Sequence, residues 1–281
     1  MLYYPAVSSG QLPGLIMANG FSGTMDWVLP AYARRFAEAG FAVLVFDYRH
    51  FGQSEGVPRQ LVSVRKQRQD LEAAVDFARH HNRLDPNCLA LWGTSLGGGH
   101  VLNVAARDPR LRAIIAQVPA FDMVNPRAKA TVRIPLHRLM NLLLAAVWDA
   151  VRGLVGASPW YCKVYGSTNE TAVFTDPALQ ASFEKLTRQS RYWQNRFTPR
   201  FYLNLPRYKP GTAEQLIMPL LVCVARRDVY ANPVFQTWVG KRALRGKVIE
   251  YDTDHFAFYH GLMEQVVTDQ LLFLRRWMTK R

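Results

Sequence analysis

Cys88-Leu89-Ala90-Leu91-Trp92 is a wholly apolar run that leads directly into Gly93-Thr94-Ser95-Leu96-Gly97, and a helix-compatible stretch begins at Gly98. A serine in G-x-S-x-G between a strand and a helix has the pattern of a nucleophile elbow. The spacing has a chemical reason: the serine must occupy a tight, strained turn that lifts its hydroxyl above the sheet, and the flanking glycines keep side chains clear of it. The competing reading makes Ser95 a small residue in a glycine-rich turn. Against that reading stand a candidate acid, Asp228, and a candidate histidine, His255, which follow in the chain order Ser, Asp, His.

Around the elbow, further short apolar runs occupy 14–18, 42–46, 111–118, 219–225 and 247–251. Helical patterns fill 27–39, 61–81, 96–107 and 262–278, with Val64, Leu71, Val75 and Ala78 on one face of the second. Strands buried on both faces and alternating with helices predict an α/β fold, a doubly wound and mostly parallel sheet. The rhythm breaks between 125 and 215, where a helical stretch at 136–151 gives way to loop-rich sequence with Ser158-Pro159 and Asp176-Pro177. The chain therefore divides into a first core part (1–124), an insertion over the sheet (125–215) and a second core part (216–281). Tyr192, Trp193, Phe197, Phe201 and Tyr202 either line a substrate cavity or pack the insertion onto the core.

The 281 residues are 49% hydrophobic and 12% aromatic with no repeat, a composition that suits a globular enzyme with a substantial core. No charged and apolar leader pattern opens the chain, and the apolar run 142–148 falls far short of the ~20 residues of a membrane span. Cys88 and Cys223 fall in expected strands and Cys162 in a loop-like region, so their spacing builds neither a disulfide framework nor a metal site, and a cytoplasmic location is expected. The net charge is +14, and residues 126–215 hold 13 Lys or Arg against 5 Asp or Glu. These basic residues are scattered and form no arginine-rich stripe, which reads as a solvated basic face and gives no nucleic-acid partner.

Four more motifs accompany the elbow. Ala18-Asn19-Gly20-Phe21-Ser22-Gly23 follows the first run, and the stretch from Asp47 through Arg49, Gly52 and Ser54 to Gly56 follows the next. Ala225-Arg226-Arg227-Asp228 and Asp254-His255-Phe256 come late in the chain. Together the five resemble the α/β-hydrolase superfamily, and within it the group of dienelactone hydrolases, X-Pro dipeptidyl-peptidase catalytic domains and fungal polyketide-transferase-type hydrolases. The resemblance covers nearly everything outside the insertion and implies that the insertion is a lid. It also implies that the backbone N–H groups of Phe21 and Leu96 form an oxyanion hole, and that Asp47 organises a turn. Asn19 stands where a histidine is common in the superfamily, and His50 and Asp254 stand where glycine is frequent.

Each candidate also has a job that does not depend on the resemblance. Ser95 is weakly nucleophilic alone and needs a base. His255, on the loop after the last run, lies at the sheet edge that carries the elbow, whereas His50, His80, His81, His100, His137 and His260 do not. Asp228 follows its strand at that same edge and can hold the base's tautomer. Asp252 and Asp254 compete for this role, but they are too near His255 along the chain to reach Nδ1 easily.

The sequence thus predicts a serine hydrolase that cleaves a small ester or thioester through an acyl-enzyme, with no cofactor and no metal. Three rivals remain: an acyltransferase or polyketide-processing enzyme with the same triad, a serine peptidase, and a non-catalytic protein binding an anionic partner. The front of the sheet reads as truncated, since only Leu2-Tyr3-Tyr4 precedes Pro5 where such sheets begin with a hairpin. Residues 42–46 are then expected at an exposed edge. An upstream start, a covering partner such as a second copy, or partial cover by residues 2–4 would each answer this, and the upstream start is the expectation.

Overall fold

The computed structural model describes residues 1–6, 10–188 and 190–278. Along the chain run strands β1 (Leu2–Tyr3), β2 (Leu12–Ala18), β3 (Ala42–Val45), β4 (Leu84–Thr94), β5 (Ala113–Gln117), β6 (Lys163–Tyr165), β7 (Ala172–Phe174), β8 (Leu220–Ala225) and β9 (Gly246–Tyr251). The helices are α1 (Leu29–Glu38), α2 (Val64–His80), α3 (Leu96–Ala105), α4 (Leu136–Leu154), α5 (Gln180–Arg188), α6 (Pro233–Arg242) and α7 (Met263–Met278). Seven strands form one sheet in the order β1-β3-β2-β4-β5-β8-β9, and β6 and β7 pair separately. Every pairing in the large sheet is parallel except β1 with β3. This is the doubly wound, mostly parallel sheet the apolar runs predict.

Alternate residues of the central strands feed two cores. On one face Ile16, Leu91, Ile114 and Val222 pack with α2, α3 and α6, through Leu71, Leu102 and Val239. On the other, Met17, Trp92, Ile115 and Cys223 meet α1 and α7, through Tyr32, Phe36 and Leu274. Fully burying a side chain of this size contributes about 1.5–3 kcal/mol, so both faces are strongly specified.

Strand β4 starts at Leu84, four residues before the apolar run, because Leu84 pairs with Leu12 across a bulge while the polar Asp85-Pro86-Asn87 interrupts the pattern. At the front edge Leu2 pairs with Leu44 and Tyr3 with Val43, so the edge of β3 is partly covered by residues 2–3. Between β5 and β8 the chain leaves the sheet to form α4, β6, β7, α5 and a 3₁₀ turn at Pro199–Leu203. Among the described residues no helix is long and apolar enough to cross a membrane.

Candidate active site

Ser95 links β4 to α3 with φ 53° and ψ −119°, a conformation L-residues rarely adopt. Hydrogen bonds hold it there: its N–H donates to the Gln117 carbonyl at 2.9 Å, and its own carbonyl accepts from Gly98 N at 3.0 Å and Ala120 N at 2.9 Å. The turn leaves no room for a side chain at Gly97, where a Cβ would lie 2.4 Å from the carbonyl oxygens of both Ala18 and Asn19. The close approach of β2 to the start of α3 is what requires glycine at that place in the motif.

His255 and Asp228 are brought together. His255 Nδ1 lies 2.7 Å from Asp228 Oδ2, with both side chains buried. The other carboxylate oxygen, Oδ1, accepts from Tyr230 N at 2.8 Å and Ala231 N at 2.9 Å, so the loop after β8 fixes the acid in place. The rival carboxylates are engaged elsewhere: Asp254 accepts from Phe256 N and Ala257 N, and Asp252 pairs with Arg227. With Nδ1–H donating to Asp228, Nε2 is left as the acceptor.

A buried hydrogen-bond chain ends at that nitrogen. Trp92 Nε1 donates to Gln270 Oε1 at 2.9 Å, and Gln270 Nε2 to Gln117 Oε1 at 2.9 Å. Gln117 Nε2 then donates to Thr94 Oγ1 at 3.3 Å; Thr94 lies 3.1 Å from the Tyr259 hydroxyl, which lies 3.5 Å from His255 Nε2. Read in one direction, every hydroxyl in this chain donates onward. Burial raises the Tyr259 pKa well above that of an ordinary phenol, so its proton is retained. In this arrangement Nε2 makes no hydrogen bond to Ser95 Oγ, a contact that commonly tightens only with substrate bound.

Ser95, His255, Gly20, Phe21 and Tyr259 line one cavity of about 20 Å³ together with Trp27, Phe174 and Phe256. That is room for about one water and not for an ester. Among the described residues the N–H groups of Phe21 and Leu96 donate to no other group of the chain, and Leu96 stands at the start of α3, where such donors are unpaired and the helix dipole is positive. Asn19 takes up a structural role: its Oδ1 accepts from Gly20 N and its Nδ2 donates to the Thr24 carbonyl. Asp47 accepts from Met25 N and Gln53 N and organises its turn.

The remaining histidines lie apart. His50 meets Lys66 at 3.1 Å, and His100, with its pKa pushed down to about 3 by burial first and by nearby Arg68, bonds to Gln67. Of the two readings of the aromatic run, the described structure has the packing one: Phe197 and Phe201 sit against Phe21, and Trp193 stacks on Trp27 at 5.7 Å. The inserted segment contributes Phe174 to the cavity instead. Sequence reasoning missed Phe174, Trp27 and Tyr259. Only Tyr259, four residues after His255, carried a positional signal.

The Hydrolase_4 family, described as serine aminopeptidase, S33, matches residues 14–265. The quorum-quenching protein AidA of Acinetobacter baumannii is 37% identical over 277 residues, covering 98% of this chain and 90% of that protein. Polyketide transferase GrgF of a Penicillium species is 29% identical over 289 residues, covering 98% and 91%. Its crystal structure superposes with a TM-score of 0.77 at 25% identity, over 99% of this chain and 93% of that one. A thiohydrolase of Aspergillus aculeatus is 41% identical over 110 residues, 39% of this chain and 35% of that protein.

Proposed function

Because this chain belongs to the serine aminopeptidase S33 family of α/β-hydrolases, we propose that it cleaves a carboxylic ester or thioester through an acyl-enzyme on Ser95. His255 Nε2 takes the Ser95 proton as Oγ attacks the acyl carbon, and the N–H groups of Phe21 and Leu96 receive the developing oxyanion. Collapse of the tetrahedral intermediate expels the alcohol or thiol, which takes the proton back from His255. Water then attacks the acyl carbon and gives a proton to the same nitrogen, and the acyl–Oγ bond breaks as His255 returns that proton to Ser95 Oγ and the acid leaves. Asp228 keeps Nδ1 protonated and stabilises the imidazolium. Residues 125–215 act as the lid, with Phe174 reaching the cavity.

The observation that carries this reading is the buried 2.7 Å pair of His255 and Asp228 opening onto the same cavity as a serine held at φ 53°. A thiohydrolase and a polyketide transferase among the relatives support acyl chemistry. One second reading has a specific observation behind it. Trp27, Phe174 and Phe256 leave the cavity room for about one water, and so restricted a supply at the acyl-enzyme favours transfer of the acyl group to an alcohol or amine over hydrolysis.

A fluorophosphonate probe should label Ser95, and Ser95→Ala should abolish labelling and lower turnover by ~10⁶. Labelling that survives the substitution places the nucleophile elsewhere. Product analysis with p-nitrophenyl esters, acyl thioesters and peptide amides, with and without an alcohol acceptor, separates hydrolysis, transfer and peptide cleavage.

A further inference from the structure

Helix α4 turns an apolar face to the outside. Leu136 is 73% exposed, Leu144 63% and Leu154 87%, and Met140, Val147 and Trp148 between them are exposed as well. Their spacing of three and four residues puts them on one side of the helix. The opposite side, with Arg138, Leu142, Ala146 and Asp149, is buried against the rest of the protein. Exposed Trp160 shares a surface groove with Leu144 and Trp148 and widens the strip beside the middle of the helix. Scattered exposed apolar residues need no explanation, but a continuous strip this long marks an interaction surface.

The charge around the strip narrows what covers it. Arg127, Lys129 and Arg133 precede the helix, and Arg152 lies in its last turn with its guanidinium 5.9 Å from the Trp148 ring. Glu170 lines the groove beside Leu144 and Trp148 but is paired with Lys163, and between Asp122 and Glu170 the sequence holds one acidic residue, Asp149. That carboxylate is buried and doubly bonded to Arg200 at 2.6 and 2.9 Å, so it offers the surface no negative charge. A second copy docked through this face would set one basic rim against another, within a chain of net charge +14. An anionic surface meets the same rim with attraction. An apolar stripe with leucine and tryptophan, flanked by basic residues, is the make-up of a helix that lies in the plane of a lipid headgroup layer.

We propose that α4 seats this protein on anionic phospholipid bilayers, with the strip from Leu136 to Leu154 entering the headgroup and upper acyl region and Arg127, Lys129, Arg133 and Arg152 meeting lipid phosphates. The helix lies on the bilayer and does not cross it, since its other side is committed to the core by the Asp149 and Arg200 pair. This association is independent of the chemistry assigned to Ser95.

The test is co-sedimentation of the full chain with vesicles of phosphatidylcholine alone and of equal parts phosphatidylcholine and phosphatidylglycerol. Binding is expected to the mixed vesicles, weakening about fivefold for each basic residue removed at Arg127, Lys129 or Arg133 and weakening with added salt. Leu144→Gln with Trp148→Gln should reduce it at least ~10-fold, because it removes two of the inserting side chains. Both positions are exposed, and an unchanged melting temperature and unchanged fluorophosphonate labelling certify the fold of the variant. Absence of wild-type binding to phosphatidylglycerol vesicles overturns the inference, as does binding that ignores the Leu144 and Trp148 changes. A wild-type dimer that dissociates on those same changes, with no vesicle binding, assigns the face to a second copy instead.

Discussion

Asp254 competes with Asp228 in the sequence as the partner of His255, yet their surroundings give the two carboxylates different work. Asp228 accepts from His255 Nδ1, whereas Asp254 caps the turn at Phe256 and Ala257. Asp228→Asn should therefore lower kcat by about 10⁴ by favouring the wrong histidine tautomer, and Asp254→Asn should change it far less. Steady-state rates of the two variants decide the matter, and the assignment fails if Asp254→Asn is the more damaging. The pairing of His255 with Asp228 and the shared cavity of His255 and Ser95 were legible because chain order and placement at strand ends are both written in one dimension. Trp27, Phe174 and Tyr259 were not, because an aromatic residue facing a cavity looks in sequence like one facing the core. Their role depends on which wall the folded chain brings opposite.

At the level of elements, the loop leading into α1 is tied to the inserted segment by Asp26. Its carboxylate accepts from Ser190 Oγ at 2.8 Å, Arg191 N at 2.7 Å and Tyr192 N at 3.1 Å, as well as from Thr24. Partial burial pushes its pKa up, but these hydrogen bonds together outweigh burial and leave it below the usual value. With the folded value depressed, this tie is present above the ordinary carboxylate range and is lost as pH falls through the lowered one. Hydrogen exchange at Arg191 and Tyr192, corrected for intrinsic rates, should accelerate on acidification and should be fast at all pH in Asp26→Ala. Identical protection in wild type and variant would remove Asp26 from this role. Deeper down, Gln270 on α7 joins Trp92 to Gln117 beneath the elbow, and Gln270→Leu leaves two buried groups unpaired. Thermal or urea unfolding should then show a loss of ~2–5 kcal/mol, and a loss near zero would mean that water replaces the amide. The main strands and helices could be read from periodicity, because burial on both sheet faces makes apolar runs continuous. Helix α6 could not, since its residues Pro233–Arg242 concentrate their apolar side chains on no single stripe, and β6 and β7 are only three residues each.

Over the whole molecule, the fold class was the most readable property, because five motifs and the alternation of strands and helices agree on one architecture. The excess of positive charge was readable as a number but not as a distribution, which only the folded surface supplies. If the basic inserted segment steers substrates, kcat/KM for a carboxylate-bearing ester should exceed that for a matched neutral ester. The difference should shrink as salt rises from 0.1 to 1 M, where the Debye length contracts from ~10 Å to ~3 Å. Equal salt dependence for the two esters leaves the charge as a solvated face. The cavity of about 20 Å³ beside Ser95 carries a consequence for any ligand at all. If a substrate enters only when this cavity widens, its apparent dissociation constant is the intrinsic one divided by the fraction of molecules in the open form. Were that fraction about one in a hundred, a ligand would look about a hundredfold weaker than its contacts warrant. Whatever holds the segment open then acts as an activator of the site without touching it.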